Sequence, residues 1–282
     1  MLSELNHMAM AVGDLTACKG LYGGALGLVE VHQTADTAWF QVGPTLVELR
    51  QEAGAGAGTA GEARPAINHF ALHVDAIDAA YAALQHAGVS LLGPPQATSV
   101  GHRNMQRSLL AFEDPNRFHI QVSETIDPRP HLEGRKRAKQ AMASAGDGGR
   151  FGGIDHIAMY CTDYAATRAF WVDGLGLDEF FHSATREAGT EVAPGFEQGA
   201  FAVGGKDIEM ATDETWTAVA PGLVRQLGFS TDDVDAAYQG ALASGLEVEG
   251  PPVDWQPVPS ILHRAFGLRD PDGTRIQISR PA

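Results

Sequence analysis

The chain is 282 residues long, 44% hydrophobic and 20% charged, and its 35 acidic against 20 basic side chains give a formal charge of −15. That length suggests about two domains with a core large enough to stand without disulfides, and the acidity argues against nucleic acid or an anionic membrane as partner, since both need a basic footprint. Cys18 and Cys161 are the only cysteines and make neither a disulfide framework nor a paired metal clip, no basic-then-apolar leader opens the sequence, and no apolar run reaches the ~20 residues of a membrane helix, so a cytoplasmic protein is expected.

The first predicted element is an alternating strand, His7–Val12. Asp14 or Thr16 caps a following helix with Leu15, Cys18, Leu21, Tyr22 and Leu26 on its apolar face, and Gly27 stands where a helix end favours positive φ. Strands follow near Val29–Gln33, Ala38–Val42 and Thr45–Gln51, then a Gly-Ala loop, Ala53–Gly58. The order restarts with a strand at Asn68–Val74, a helix at Asp78–Ala87 stopping at Gly88, and strands near Val89–Leu92, Met105–Glu113 and Phe118–Ser123. Asp-Pro-Asn and Asp-Pro-Asp-Gly, at Asp114 and Asp270, read as turn formers and nothing more.

The whole arrangement then repeats. Asn6-His7-Met8-Ala9-Met10 returns as Asp155-His156-Ile157-Ala158-Met159, and Leu26-Gly27-Leu28 as Leu175-Gly176-Leu177. Asp75–Tyr81 returns as Asp232–Tyr238, Gly93-Pro94-Pro95 as Gly250-Pro251-Pro252, and Gln121 as Gln277. A longer loop within Ser183–Gln198 separates Glu48 from its counterpart Glu209 in register. Residues 1–124 and 154–282 are therefore expected to be two copies of one domain. Between them, 125–153 holds Pro128, Pro130 and the run Arg135-Lys136-Arg137-Ala138-Lys139, which reads as a linker with a short, basic, solvated helix.

Four β-α-β-β-β units carrying Asn68-His69-Phe70-Ala71-Leu72-His73-Val74, Asp155-His156-Ile157-Ala158-Met159, Leu175-Gly176-Leu177 and Asp270-Pro271-Asp272-Gly273-Thr274-Arg275-Ile276-Gln277-Ile278 resemble the vicinal oxygen chelate superfamily. That group includes glyoxalase I, methylmalonyl-CoA epimerase, extradiol ring-cleaving dioxygenases, and fosfomycin and bleomycin resistance proteins. The resemblance implies an α+β fold of two tandem domains, each a pair of β-α-β-β-β units forming a curved mixed sheet around a cup. It also implies a divalent metal held by the first and last strand of each unit. Carried over position by position, the first-strand sites are His7, His69, His156 and Gln226, and the last-strand sites are Glu48, Gln121, Glu209 and Gln277. One such side chain per strand converges on a point because alternate residues face the cup, and imidazole with carboxylate or amide oxygen suits Fe, Mn, Ni, Zn or Co.

Gln121 and Gln277 stand where the superfamily's enzymes commonly close with Glu, and an amide takes no proton at neutral pH. His73 and His119 share faces with His69 and Gln121 and are candidates for the missing acid or base. Arg107 and Trp39 are candidates for gripping substrate, with His102, His263 and Arg264 as further wall residues. Pairing the units in sequence order, as their short connection favours, puts His7, Glu48, His69 and Gln121 in one metal-binding cup and leaves His156, Glu209, Gln226 and Gln277 in a weaker one. Crossed pairing instead groups His69, Gln121, His156 and Glu209. The expected function is metal-dependent lyase or isomerase chemistry on a small substrate with adjacent oxygens, by a monomer or homodimer holding one metal per chain. An Fe(II) extradiol dioxygenase and a metal-free binding or resistance protein remain the alternatives.

Overall fold

The computed structural model describes residues 2–55, 64–98, 105–128, 151–183, 196–212, 219–220 and 222–281. The first unit is β1 (Leu2–Val12), α1 (Leu15–Lys19), β2 (Val29–Gln33), β3 (Thr37–Val42) and β4 (Thr45–Gln51). A two-residue β5 (Arg64–Pro65) precedes the second: β6 (Ile67–His73), α2 (Ile77–His86), β7 (Gln96–Thr98), β8 (Met105–Glu113) and β9 (His119–Pro128). The third is β10 (Gly153–Tyr160), α3 (Tyr164–Arg168), β11 (Asp178–Ser183), β12 (Glu197–Val203) and β13 (Lys206–Thr212). After β14 (Val219–Ala220), the fourth is β15 (Val224–Thr231), α4 (Val234–Ala243), β16 (Val253–Val258), β17 (Ile261–Arg269) and β18 (Arg275–Pro281). The expected linker helix, His102, the end of the Gly-Ala loop and most of the Ser183–Gln198 loop lie outside the described residues. No described helix is long and apolar enough to cross a membrane.

Local chemistry sets most of the boundaries. Asp14, Asp163 and Asp233 accept from the backbone N–H three residues on and start α1, α3 and α4. The strand expected at Val89–Leu92 is only a bridge, Leu91 to Phe112, and β7 forms later. Pro94 and Pro95 lie between them and have no N–H to give a ladder. Side chains from all four units join in one buried cluster that includes Met8, Phe40, Phe70, Phe112, Trp171, Phe229 and Ile278.

The strands form two eight-stranded mixed sheets, ordered β16-β17-β18-β15-β1-β4-β3-β2 and β11-β12-β13-β10-β6-β9-β8-β7. Both are strongly curved. Arg107 on β8 bonds Glu209 on β13, and Trp255 on β16 packs on His7 of β1. Each pair sits four strand spacings apart, about 19 Å along a flat sheet, so contact requires the sheet to curl into a cup.

The units pair crosswise, first with fourth and second with third, through the antiparallel joints β1·β15 and β6·β10. This corrects the expectation of pairing in sequence order. Short connections still join neighbours in space, but the neighbours belong to different sheets. Asn116 of the β8–β9 turn accepts from Gly13 N at 2.7 Å and donates to the Cys18 sulfur, clamping the second unit on the first. Asp272 accepts from Thr162 N at 3.1 Å in the same place between the fourth and third. The Asp-Pro turns are therefore latches between units as well as turn formers.

Candidate functional site

Each first strand carries an extra residue beside its site position where it meets its partner. The pairings step from Leu5 to His7, Ile154 to His156, His69 to Ile67 and Gln226 to Val224, each against a single step on the opposite strand. Asn6, Asp155, Asn68 and Arg225 are thus β-bulge residues, which re-aim side chains. Simple alternation would send Asn6, Asn68 and Asp155 into the core. The bulges bring each beside the histidine that follows it, and each oxygen accepts a hydrogen bond from Nδ1–H: Asn6 at 2.8 Å, Asn68 at 2.6 Å and Asp155 at 2.8 Å.

An imidazole that gives Nδ1–H to an oxygen keeps a lone pair on Nε2. Between β6 and β10, His69 and His156 point these lone pairs at each other, 3.3 Å apart. A shared proton is disfavoured there. Burial, reinforced by His156, pushes His69 down to about 3, so that ring is neutral at pH 7. Gln121 lies on the same face, two residues beyond His119, and its buried Oε1 has no hydrogen-bond partner. Two opposed nitrogen lone pairs, with an unpartnered amide oxygen on the same face, are groups that can donate to a cation. Nitrogens each about 2.0–2.1 Å from one ion span the observed separation at an angle close to tetrahedral. The fourth expected member, Glu209, is held by Arg107 at 2.5 Å. Among the described residues no three His, Cys, Asp or Glu side chains gather closely enough to hold an ion. The residues therefore fit a divalent cation on two imidazoles and an amide. A cavity of about 120 Å³ opens beside them, lined by Asn68, His69, Tyr160, Phe181, Gln198 and Glu209.

The other cup has the same frame and different contents. Gln226 occupies the place of a second histidine and donates from Nε2 to both His7 Nε2 and, at 3.0 Å, Gln277 Oε1. Arg275 donates to Gln226 Oε1, and Arg50 holds Glu48 at 2.6 Å. Burial, with His263 and Arg275 nearby, pushes His7 down to about 3. Trp255 closes over His7 with ring centres 4.6 Å apart, beside a cavity of about 280 Å³.

The four residues expected to form one metal set are thus divided. His7 and Glu48 stand in one sheet, His69 and Gln121 in the other. The set expected to be the weaker is divided too, with His156 and Glu209 beside His69, and Gln226 and Gln277 beside His7. His119 does reach the two-histidine cup, 5.4 Å from His69 between ring centres, with its proton affinity lowered by burial. His73, two positions beyond Ala71 on the same face of β6, is buried 3.4 Å from Asp75 and 3.8 Å from Asp155. Arg107 is 1% exposed and turned to carboxylates of the protein. Trp39 pairs across from Glu48 in the His7 cup and contacts His32. Arg264 binds Asp235, and His263 contacts Ser279 and Trp255. Sequence reasoning gave no role to Asn6, Asn68, Asp155 or Asp207. The signal for the first three was the Asn or Asp directly before each histidine.

The model of the Glyoxalase/Bleomycin resistance protein/Dioxygenase superfamily matches residues 4–122 and 153–278. Among solved structures, glyoxalase I from Zea mays superposes with a TM-score of 0.67 at 17% identity, covering 98% of this chain and 92% of that one. A chain from Bacillus subtilis subsp. subtilis str. 168, described provisionally as a dioxygenase, gives 0.66 at 17% identity over 99% of this chain and 85% of that one. No curated protein matches. At these identities the likeness is one of fold.

Proposed function

The chain belongs to the glyoxalase/bleomycin resistance protein/dioxygenase superfamily, and from that premise we propose that it is a divalent-metal-dependent enzyme working in the His69–His156 cup, with lyase or isomerase chemistry on a small substrate bearing adjacent oxygens. The observation that carries this reading is the pair of opposed Nε2 atoms, each with its Nδ1 anchored. His69, His156 and the Gln121 oxygen would hold the cation. Bound there, it supplies Lewis acidity toward two neighbouring substrate oxygens and stabilises negative charge that develops on them. Asn68 and Asp155 fix the tautomer and the tilt of the two rings. His119, neutral at working pH, stands at the cup to take and return a proton. Tyr160 and Phe181 line the cavity and limit water at the reacting carbon.

A second reading rests on composition. His69, His156 and Glu209 share one cup, and if Glu209 left Arg107 to join the two imidazoles they would make the open donor set of non-haem Fe(II) oxygenases. Elemental analysis of protein purified without chelators tests both, and about one metal per chain is expected. Absence of metal would leave the metal-free binding protein. Oxygen uptake with catechols, set against isomerisation of 2-oxoaldehyde adducts, separates the two enzymes.

A further inference from the structure

Arg107 is nearly inaccessible, yet it crosses the whole cup. It leaves β8 of the second unit and meets three carboxylates of the third: Glu209 at 2.5 Å, Asp207, and Asp155 at 3.7 Å from Nε. The other cup shows that these groups belong together. By strand register, the counterpart of Arg107 is His263, since Arg107 pairs with Thr125 as His263 pairs with Pro281. The counterparts of Asp207 and Asp155 are Leu46 and Asn6, because His156 pairs with Asp207 as His7 pairs with Leu46. The cup without the arginine lacks two of the three carboxylates. Its remaining one, Glu48, is held by Arg50, two residues further along the same strand.

We infer that Arg107 withholds Glu209 from the cation and so makes this a two-imidazole, one-amide centre. The inference rests on the reading of the cup as a cation site. The guanidinium bond to Glu209 Oε1 competes for that oxygen and sets a positive charge beside any dication that would share the carboxylate. The remaining donors, two imidazoles and an amide, bring no negative charge to the cation. A cation on them keeps its full charge for the substrate oxygens and leaves positions for both. Nitrogen-rich neutral donors also favour Zn, Co or Ni over Mg or Mn, which prefer carboxylate oxygen. Arg107 is thereby a positioning residue that selects the metal, and the arrangement speaks against the Fe(II) triad with Glu209 as its carboxylate.

Co(II) titration of the full chain against a competing chelator, followed by absorbance, tests this. Glu209→Gln should change Co(II) affinity by less than about threefold, whereas loss of a true ligand or its orienting partner costs roughly 10–100-fold or more. Arg107→Gln frees Glu209 and should tighten Co(II) and Mn(II), with the larger gain for Mn(II). A loss of tenfold or more in Glu209→Gln, relative to the unaltered chain, would show coordination by that carboxylate and overturn the inference while leaving the metal site intact (roughly the threshold above). If the unaltered chain takes up no Co(II) but Arg107→Gln does, the proposed function fails and the role of Arg107 stands. If neither binds, both fail. Should Arg107→Gln not fold, Arg107→Lys, which keeps the charge and loses the fork, takes its place, and the Glu209→Gln result still decides.

Discussion

The two cups are built on one frame and filled in opposite ways. In both, a bulged Asn or Asp anchors the Nδ1 of a buried histidine and aims its Nε2 at the opposite first strand. In the His7 cup that strand answers with an amide, whose N–H groups satisfy His7 and Gln277 together. In the His69 cup it answers with another anchored imidazole, and two lone pairs meet. An amide carries its own proton donors, and an imidazole anchored through Nδ1 has none left. One side chain therefore separates a cup that closes on its own hydrogen bonds from one that calls for a cation.

The largest expected effects break the contrast outright. His69→Ala or His156→Ala should abolish metal uptake, while His7→Ala leaves it intact. Metal lost with His7→Ala but kept with His156→Ala would reverse the assignment of the cups. In the other direction, Gln226→His with Gln277→Glu places a second imidazole and a carboxylate in the His7 cup. Elemental analysis should then rise from about one to about two metals per chain, as a complete donor set permits.

Acid should act on both cups alike. His7 and His69 are each pushed down to about 3, chiefly by burial, against about 6.5 in an unfolded chain. The folded state then binds fewer protons than the unfolded one between those values. The stabilisation is fully present above pH 6.5 and is lost as pH falls toward about 3. Urea midpoints of the metal-free chain should fall across that window, and His7→Gln should flatten part of the slope. A midpoint unchanged from pH 6.5 to 4 would show that the two rings are not held neutral.

A smaller effect sharpens the comparison. Asn68→Ala removes the oxygen that fixes His69 without touching a donor to the cation. Metal affinity should drop roughly 10–100-fold, the usual cost of losing an orienting partner. Asn6→Ala, the same change in the other cup, should leave metal affinity where it was. Equal losses in the two variants would mean that Asn68 acts through the fold rather than through His69.

How far the sequence carried this picture follows from what each feature depends on. The four units and the Asp14 cap were legible because strand alternation and helix caps are local, and the first-strand positions of His7, His69, His156 and Gln226 followed from the repeat and the family resemblance. The grouping of those residues was not. Adjacent and crossed pairing use the same strands, and the crossed choice is made by the long-range ladders β1·β15 and β6·β10, while Asn116 and Asp272, which read in sequence as parts of ordinary turns, latch the sequence-adjacent units across the two sheets. Nor did alternation foresee the bulges, since an added residue reverses the faces on either side of it. Arg107 read as a wall cation for substrate, and its burial among three carboxylates depends on the curl of a sheet that brings β8 to β13.

The smallest test concerns the residue opposite each cup side chain. Ala158 faces His69, Ala71 faces His156, Ala9 faces Gln226, and Gly228 faces His7. The ring or amide lies over its neighbour's backbone, so all four positions are small. The glycine is the departure. A Cβ there would stand 1.8 Å from His7 Cε1 and Nδ1, far inside contact distance, whereas His156 lies over a residue that has one. His7 therefore lies closer over the strand opposite it than a residue with a Cβ would allow. Gly228→Ala should lift His7, strain its bonds to Asn6 and Gln226, and destabilise the chain by about 1–3 kcal/mol, the usual cost of overpacking. Metal uptake by the His69 cup should not change. Urea unfolding and the His7 imidazole NMR signal report the two consequences, and an unmoved signal with unchanged stability would show that depth over the strand does not distinguish the cups.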